Sequence, residues 1–211
     1  MYRLYSAAPS PFARKVRIQL IEKAIPFELI TEVPWNADAA VPSVNPLGKV
    51  PALVLESGEA IFDSRLINEW IEAKHPTPPL VPPALDDRLA VKRYEVLGDG
   101  ICDALVLMFF EKSRAPEKFS QEWFDRQLRK VDAGLAEFSR LVGEGEWAWG
   151  DRFTQADVST GAALKYLEVR WPDFPWRARH PNLAALSDRL EARASFAATV
   201  PTPQAIRDRV A

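Results

Sequence analysis

Cysteine and histidine are scarce in this 211-residue sequence, which contains one cysteine, Cys102, and two histidines, His75 and His180. One cysteine cannot form a disulfide within the chain, and it cannot supply a cysteine-based metal cluster. A chain without disulfides is typical of a reducing compartment. We therefore expect a cytoplasmic protein that binds no metal ion.

Long apolar runs and a strong charge of one sign are also missing. No stretch reaches the roughly 18–20 uncharged apolar residues that span a bilayer, and residues 1–5 lack the basic and apolar regions of a signal peptide. The 27 Lys and Arg residues nearly balance the 29 Asp and Glu residues. This balance gives no electrostatic reason to expect nucleic acid or an anionic membrane as a partner.

Residues 1–75 alternate between strand-like and helix-like patterns, which predicts a mixed α/β domain. Ser10 and Pro11 favour the start of a first helix, because serine is a common N-cap and proline suits the first turn. Ser64 is expected to be the N-cap of a second helix. Segment 34–48 is expected to be a loop with one irregular helical turn. The strand-like segments are residues 2–4, 26–30, 50–55 and 60–62.

The second half of the chain has a different pattern. Five of the nine residues 75–83 are proline, which disfavours helix and hydrogen-bonded strand, so residues 76–86 are interpreted as a stiff linker. Residues 87–211 are then expected to form an all-helical domain. The clearest helical face has apolar residues in steps of four and three. They are Phe124, Leu128, Val131, Leu135, Phe138 and Val142.

Three segments resemble motifs of a known family: SPFARKV at residues 10–16, NPLGKVP at 45–51 and FDS at 62–64. With the α/β half, the Pro-rich linker and the helical half, they resemble the cytosolic glutathione transferases over the whole chain, most closely the bacterial YibF-like group. The resemblance implies a thioredoxin-like N-terminal domain that binds glutathione and an all-α C-terminal domain that binds an electrophile. It also implies a homodimer and a role in detoxification.

The resemblance assigns several residues to glutathione. The bond between Val50 and Pro51 is expected to be cis, which leaves the Val50 backbone to pair with the cysteinyl unit as an added strand would. Ser64, at a helix start, is expected to hold the γ-glutamyl carboxylate, with Asp63 near the ammonium group. A capping role also explains both side chains, and the two roles are compatible. The complete glutathione set is Ser10, Asn36, Lys49, Val50, Asp63 and Ser64.

Ser10 is the candidate catalytic residue. A thiol with a pKa of about 8.5 is mostly protonated at neutral pH, so a transferase must favour the thiolate. A hydroxyl donor at a helix start stabilises that charged form. Tyr5 and Ser6 are rivals, since some transferase classes use a tyrosine near the end of the first strand. The N-terminal half contains no cysteine, which argues against a thiol oxidoreductase that forms mixed disulfides.

The helical half is expected to contribute structure and a second binding site. Thr154 and Asp157 are spaced as an N-cap and its reciprocal partner, which is a folding element. The family position of the first loop and the long helix implies an electrophile pocket between the domains. The residues expected to line it are Ala8, Phe12, Leu105, Met108, Phe109 and Tyr166.

Three functions are compatible with this sequence. The first is conjugation of glutathione to a small electrophile. The second is a binding or regulatory module that keeps the fold without catalysis. The third is another glutathione reaction, such as isomerisation, reductive dehalogenation or peroxide reduction. Basic residues near the serine usually accompany isomerisation; Arg14, Lys15 and Arg17 follow Ser10, although a solvated helix surface accounts for them as well.

Overall fold

The computed structural model describes residues 1–208, which form two compact units. Unit 1 contains residues 1–81 together with residues 193–208, and unit 2 contains residues 82–192. Helices, in chain order, are α1 (Pro11–Glu22), α2 (Ser64–Lys74), α3 (Leu85–Lys112), α4 (Gln121–Val142), α5 (Gln155–Arg170), α6 (Trp176–Arg179), α7 (Pro181–Glu191) and α8 (Ala194–Ala197). Two 3-10 turns, Val41–Ser43 and Pro116–Lys118, accompany them.

Unit 1 is built on a mixed four-stranded sheet. The strands are β1 (Tyr2–Ser6), β2 (Phe27–Thr31), β3 (Ala52–Val54) and β4 (Ala60–Ile61), in the spatial order β2-β1-β3-β4. β1 and β2 are parallel, whereas β3 is antiparallel to both β1 and β4. The two long helices of this unit, α1 and α2, cover one face of the sheet. The buried side chains between them and the sheet include Leu4, Val16, Leu20, Leu53, Ile67 and Ile71.

Unit 2 is entirely helical, with α3 packed against both α4 and α5. The predicted apolar face of α4 is confirmed, because Val131, Leu135, Phe138 and Val142 are buried while its first two members are half-buried. Glycines allow the helices to approach closely. A Cβ added at Gly134 would lie 2.6 Å from Ile101 Cγ1.

The start of α5 is fixed by the predicted reciprocal cap. Thr154 accepts from the Ala156 N–H, and the Asp157 carboxylate accepts from the Thr154 N–H at 2.8 Å. The other Asp157 oxygen accepts from the Ala148 N–H at 2.7 Å. Burial raises the pKa of Asp157 to about 6, although these hydrogen bonds oppose the rise. Asp157 therefore fastens the preceding loop to the helix, and the folding role expected for it is confirmed.

Three expectations differ from the structure. Ser64 was expected to be an N-cap, but Asp63 is the N-cap, with Asp63 Oδ1 accepting from the Arg65 N–H at 2.9 Å, and Ser64 is the first helical residue. Residues 193–208 were expected in the helical domain, but they pack with unit 1. The helix α3 also begins two residues before the expected domain boundary at residue 87.

Buried and half-buried polar contacts hold residues 193–199 on α1. The Arg193 guanidinium pairs with Glu22 at 2.8 Å. Arg14 is 1% exposed and donates to Thr199 Oγ1 at 3.3 Å and to the Phe196 carbonyl at 3.2 Å. Because a guanidinium is costly to bury without partners, these contacts explain why the segment belongs to unit 1. The expectation of a solvated surface is wrong for Arg14.

Candidate active site

The residues predicted to bind glutathione lie at one edge of the sheet, meaning the edge formed by the ends of its strands. β1 and β2 are parallel, so the chain leaves this edge after Ser6 and after Thr31. β3 is antiparallel to β1, with Tyr5 opposite Ala52, so the residues before Ala52 enter at the same edge. β4 is antiparallel to β3, so the residues after Ile61 leave there as well. Ser10, Asn36, Lys49, Val50 and Asp63 lie in these connections, and Ser64 begins the helix that follows the last of them.

Ser10 is the N-cap of α1. Its Oγ accepts from the Ala13 N–H at 3.2 Å, and the side chain is half-buried. A hydroxyl has one donor and two acceptor sites, so capping uses an oxygen lone pair and leaves the proton available. The capping role and the role of donor to a sulfur atom are therefore compatible at Ser10.

Tyr5 has a different environment. It is 8% exposed and packs with Val41, Ala52 and Val54 in a small core cluster. A packing role accounts for this residue. Ser6, the other rival, is 1% exposed. The half-buried Ser10 is therefore favoured over both as the thiol partner.

The connection before β3 offers unpaired backbone groups. The bond between Val50 and Pro51 is cis, as expected. Neither the N–H nor the C=O of Val50 has a hydrogen-bond partner among residues 1–208. Asn45 closes the preceding turn, since its Nδ2 donates to the Lys49 carbonyl at 2.7 Å. The Lys49 side chain itself is exposed. An extended peptide can pair with Val50 as an added strand pairs with a sheet edge.

The start of α2 combines a carboxylate with an unused hydroxyl. Burial alone would raise the pKa of Asp63, but hydrogen bonds from the Arg65 and Leu66 N–H groups and the Arg65 charge lower it below its usual value. Asp63 is thus an anion at neutral pH. Ser64 is 2% exposed, and neither its Oγ nor its N–H bonds to another residue of the described chain. A helix start with free donors is suited to a carboxylate ligand.

Asn36 lies in the loop after β2 and is 8% exposed. Its Oδ1 accepts from the Arg207 N–H at 3.0 Å. The Arg207 side chain pairs with Asp38 at 2.6 Å, and Gln204 Oε1 accepts from the Ala8 N–H at 3.0 Å. The C-terminal segment therefore borders the predicted site at two points.

Sequence reasoning missed Gln204 and Arg207. The prolines at positions 201 and 203 exclude a regular helix there. Nothing in the local pattern indicates that the segment returns to the sheet edge.

Known proteins identify the family of this chain. A model of the glutathione S-transferase N-terminal domain matches residues 9–74, and a model of the C-terminal domain of that family matches residues 121–189. The uncharacterized GST-like protein YibF of Escherichia coli K12 is 38% identical over 199 residues, which cover 94% of this chain and 98% of YibF. The chain belongs to the glutathione S-transferase family.

Solved structures show the same architecture. A glutathione S-transferase from Methylobacterium radiotolerans, in complex with glutathione sulfonate, is 58% identical to this chain and superposes with a TM-score of 0.98. The match covers 100% of this chain and 99% of the other chain. A glutathione S-transferase from Methylobacillus flagellatus with glutathione bound is 35% identical, covers 96% and 100%, and has a TM-score of 0.93. The fold is thus the α/β plus all-α architecture of glutathione S-transferases.

The residues predicted to line an electrophile pocket belong to both units of this glutathione S-transferase fold. Ala8 and Phe12 lie in unit 1 and are half-buried. In unit 2, Leu105, Met108 and Phe109 lie on α3, and Tyr166 lies on α5. Burial raises the pKa of the Tyr166 hydroxyl, and the neighbouring Arg170 acts in the opposite direction.

Arg170 brings two of the predicted pocket residues together. Its guanidinium carbon lies 4.2 Å from the centre of the Phe109 ring and 5.6 Å from that of Tyr166. Sequence reasoning missed Arg170. Its position one turn after Tyr166 on the same helix was the signal that could have found it.

Two kinds of feature are absent from the described part of the chain. Residues 1–208 contain no group of three or more His, Cys, Asp or Glu side chains placed to hold a metal ion. Among the same residues, none of the helices has the length and apolar character that crossing a membrane requires.

Proposed function

We propose that this protein is a glutathione transferase that binds glutathione, stabilises its thiolate and conjugates it to a small, largely apolar electrophile. The observation that supports the proposal is the strand pairing, which puts the unpaired Val50 backbone, the unused Ser64 donors and the Ser10 hydroxyl at the same end of the sheet. Each group matches a different part of one tripeptide. Family membership supports the same assignment.

Each group has a separate chemical task. The Val50 N–H and C=O pair with the cysteinyl unit, and this fixes the direction of the bound peptide. The Ser64 N–H and hydroxyl bind the γ-glutamyl carboxylate at the start of α2. The Asp63 carboxylate pairs with the ammonium group of the γ-glutamyl unit. The lowered pKa of Asp63 keeps this carboxylate charged. We assign Asn36 and Lys49 to the rim of the same site.

Ser10 then acts on the sulfur. Its hydroxyl donates a hydrogen bond to the thiolate, and the positive end of α1 adds a favourable field. Both effects lower the pKa of the bound thiol, because they favour its charged form. The thiolate attacks the electrophile, and the leaving group departs with the electron pair of the broken bond. Binding both reactants side by side supplies a further part of the rate.

Binding and turnover test the proposal in two steps. Calorimetry with glutathione measures the affinity, and the ultraviolet absorbance of the thiolate, followed against pH, gives the pKa of the bound thiol. Turnover is measured with chlorodinitrobenzene. We expect saturable binding, a thiol pKa below the free value and release of chloride.

Two outcomes would redirect the proposal. Absence of glutathione binding favours the inactive binding module. Binding without conjugation favours another glutathione reaction. For isomerisation, two of the three basic residues after Ser10 are already engaged, since Arg14 donates to Thr199 and Phe196, and Arg17 donates to the Ala198 carbonyl at 3.1 Å.

The proposal includes a homodimer in the cytoplasm. Leu85, Leu89, Val96 and Leu107 on α3 are 41–68% exposed, and their spacing of 4, 7 and 11 residues places them on one narrow stripe of the helix. An apolar stripe of this kind is typical of a surface covered by a partner. A second copy of the chain is the proposed partner. The cytoplasm supplies the reduced glutathione that the reaction needs.

A further inference from the structure

A half-buried guanidinium lies on the predicted electrophile-binding side chains of unit 2. The Arg170 guanidinium carbon is 4.2 Å from the Phe109 ring centre and 5.6 Å from the Tyr166 ring centre. An arginine stacked on an aromatic face keeps the N–H groups along its edge available, in a planar fork that matches a carboxylate. Stacking and a hydrogen bond to the Tyr166 side chain therefore orient this guanidinium, and its Nε is left without a partner among residues 1–208.

The charge of Arg170 is not neutralised within the described chain. No carboxylate of residues 1–208 lies within 4.0 Å of its nitrogen atoms, and its buried Nε has no hydrogen-bond partner there. The acid two residues earlier on α5 is engaged elsewhere. Glu168 pairs with Lys165 and Arg177, at 3.7 Å and 3.2 Å. An uncompensated cation on an apolar wall attracts an anionic group of a ligand, because burial weakens competition from water.

A purely structural reading of Arg170 also exists. The residue lies in the last turn of α5, where any cation is favoured by the helix dipole. Helix dipole and ring stacking explain why an arginine is tolerated at this position. They do not predict that the protein distinguishes an acidic ligand from its neutral ester, and this difference separates the two readings.

We infer that Arg170 binds the carboxylate of the second substrate, so that the preferred electrophiles are aromatic acids. This inference rests on the proposed transferase function. The half-buried Phe109 side chain holds the aromatic ring, and N–H groups of the guanidinium donate two hydrogen bonds to the carboxylate oxygens. The reaction on such a ring forms a carbon–sulfur bond and breaks a carbon–chlorine bond. Chloride leaves with the bonding electron pair, and the thiol proton has already passed to solvent.

A matched pair of electrophiles tests this assignment. Chlorodinitrobenzoate carries the carboxylate, and its methyl ester has the same reacting carbon without the charge. Initial rates of chloride release are measured for wild type, Arg170→Met, Arg170→Lys and Arg129→Met. Arg129 is the control, because it is an exposed cation of the same unit.

We expect wild type to prefer the acid. In Arg170→Met, kcat/KM for the acid should fall about ten- to a hundredfold, the range for losing hydrogen bonds to a charged group, while the ester changes less than about twofold. Arg170→Lys should keep part of the preference, since the charge stays and the planar fork is lost. Arg129→Met should match wild type with both compounds.

The possible results distinguish failure of the Arg170 assignment from failure of the proposed transferase function. Equal losses for acid and ester in Arg170→Met, with wild-type binding of glutathione, overturn the carboxylate role and leave the transferase intact. Absence of turnover with both compounds in wild type overturns the proposed function. The affinity of the acid conjugate and of its ester, measured by calorimetry with the same variants, supplies a second readout. Equal affinities in wild type also overturn the inference.

Discussion

Ser10 Oγ accepts the Ala13 N–H at 3.2 Å, and the same geometry recurs on α4, where Ser120 Oγ accepts the Trp123 N–H at 3.2 Å. Replacing either serine by alanine removes one N-cap and should lower the free energy of unfolding by about 1 kcal/mol. Only Ser10→Ala should raise the pKa of bound glutathione towards about 8.5 and lower kcat/KM about ten- to a hundredfold. Urea unfolding and thiolate absorbance measure the two effects.

Ser120→Ala is therefore the control for lost capping. If the two variants conjugate chlorodinitrobenzene equally fast, Ser10 is a cap and nothing more. In that case Tyr5 regains its place as the thiol partner, although its packing among Val41, Ala52 and Val54 argues against it.

The division of roles at the start of α2 gives a second prediction. Asp63 caps the helix, whereas the Ser64 hydroxyl bonds to no other described residue. Ser64→Ala should weaken glutathione binding about tenfold and change the free energy of unfolding by less than about 0.5 kcal/mol. Asp63→Ala should lose both affinity and about 1 kcal/mol of stability. Calorimetry and urea unfolding of both variants provide the check; unchanged affinity in Ser64→Ala would contradict the assignment.

The close contact of α3 and α4 gives a third prediction. A Cβ at Gly134 would lie 2.6 Å from Ile101 Cγ1 and 2.8 Å from its Cδ1. Gly134→Ala should therefore destabilise unit 2 by about 1–3 kcal/mol, despite a gain of up to about 1 kcal/mol in helix propensity. In combination with Ile101→Ala the cost of the alanine should shrink, so a double-mutant cycle by urea unfolding should show strong coupling. Additive losses would show that the contact is not the cause.

The buried cap of α5 makes stability depend on pH. The pKa of Asp157 is raised to about 6 in the folded protein, against about 3.9 in an unfolded chain. The folded state therefore binds the Asp157 proton more tightly than the unfolded chain does. Its contribution to the free energy of unfolding is complete below pH 4 and is lost as the pH rises to about 6.

Asp157→Asn should be less stable than wild type, because an amide cannot accept both the Ala148 and Thr154 N–H groups. Its free energy of unfolding should also lack the decrease of about 2–3 kcal/mol between pH 4 and 6 that Asp157 contributes. Urea unfolding across that range, with exposed Asp151→Asn as the control, measures the difference. Parallel profiles for wild type and Asp157→Asn would refute this source of pH dependence.

The apolar stripe on α3 gives the fifth prediction. Val96 is 64% exposed at its centre, and a buried lysine there would disrupt an interface between copies. Val96→Lys should shift the molar mass in light scattering from two chains to one at micromolar concentration. Leu29→Lys, on the edge strand β2 and 40% exposed, should leave the mass unchanged. If the molar mass of the wild-type protein is that of one chain, the proposed homodimer is wrong.

Local sequence patterns predicted a structural element correctly where residues close together in the chain determine it. The four-three spacing from Phe124 to Val142 predicted α4 because burial follows helical periodicity. The pairing of Thr154 with Asp157 predicted the start of α5 because both partners lie within one turn. The site motifs also appeared in the sequence, and strand register then explained why they share an edge.

Other features depended on contacts that no local pattern contains. Asp63 and Ser64 are both good N-caps, so composition could not decide which of them precedes the helix. Arg14 follows Ser10 on an otherwise ordinary helix, and its burial depends on Thr199 and Phe196, more than 180 residues later. For Arg170 the spacing from Tyr166 is a local signal, but its stacking on Phe109 joins two different helices and has no local pattern.

The discontinuity of unit 1 has a consequence for synthesis on the ribosome. Residues 82–192 are translated after the sheet and before residues 193–208, which complete unit 1. Translating residues 82–192 takes on the order of ten seconds at typical rates. During that interval Arg14 and Glu22 on α1 lack the partners supplied by residues 193–199. The sheet unit therefore finishes folding last, although its first strand emerges from the ribosome first.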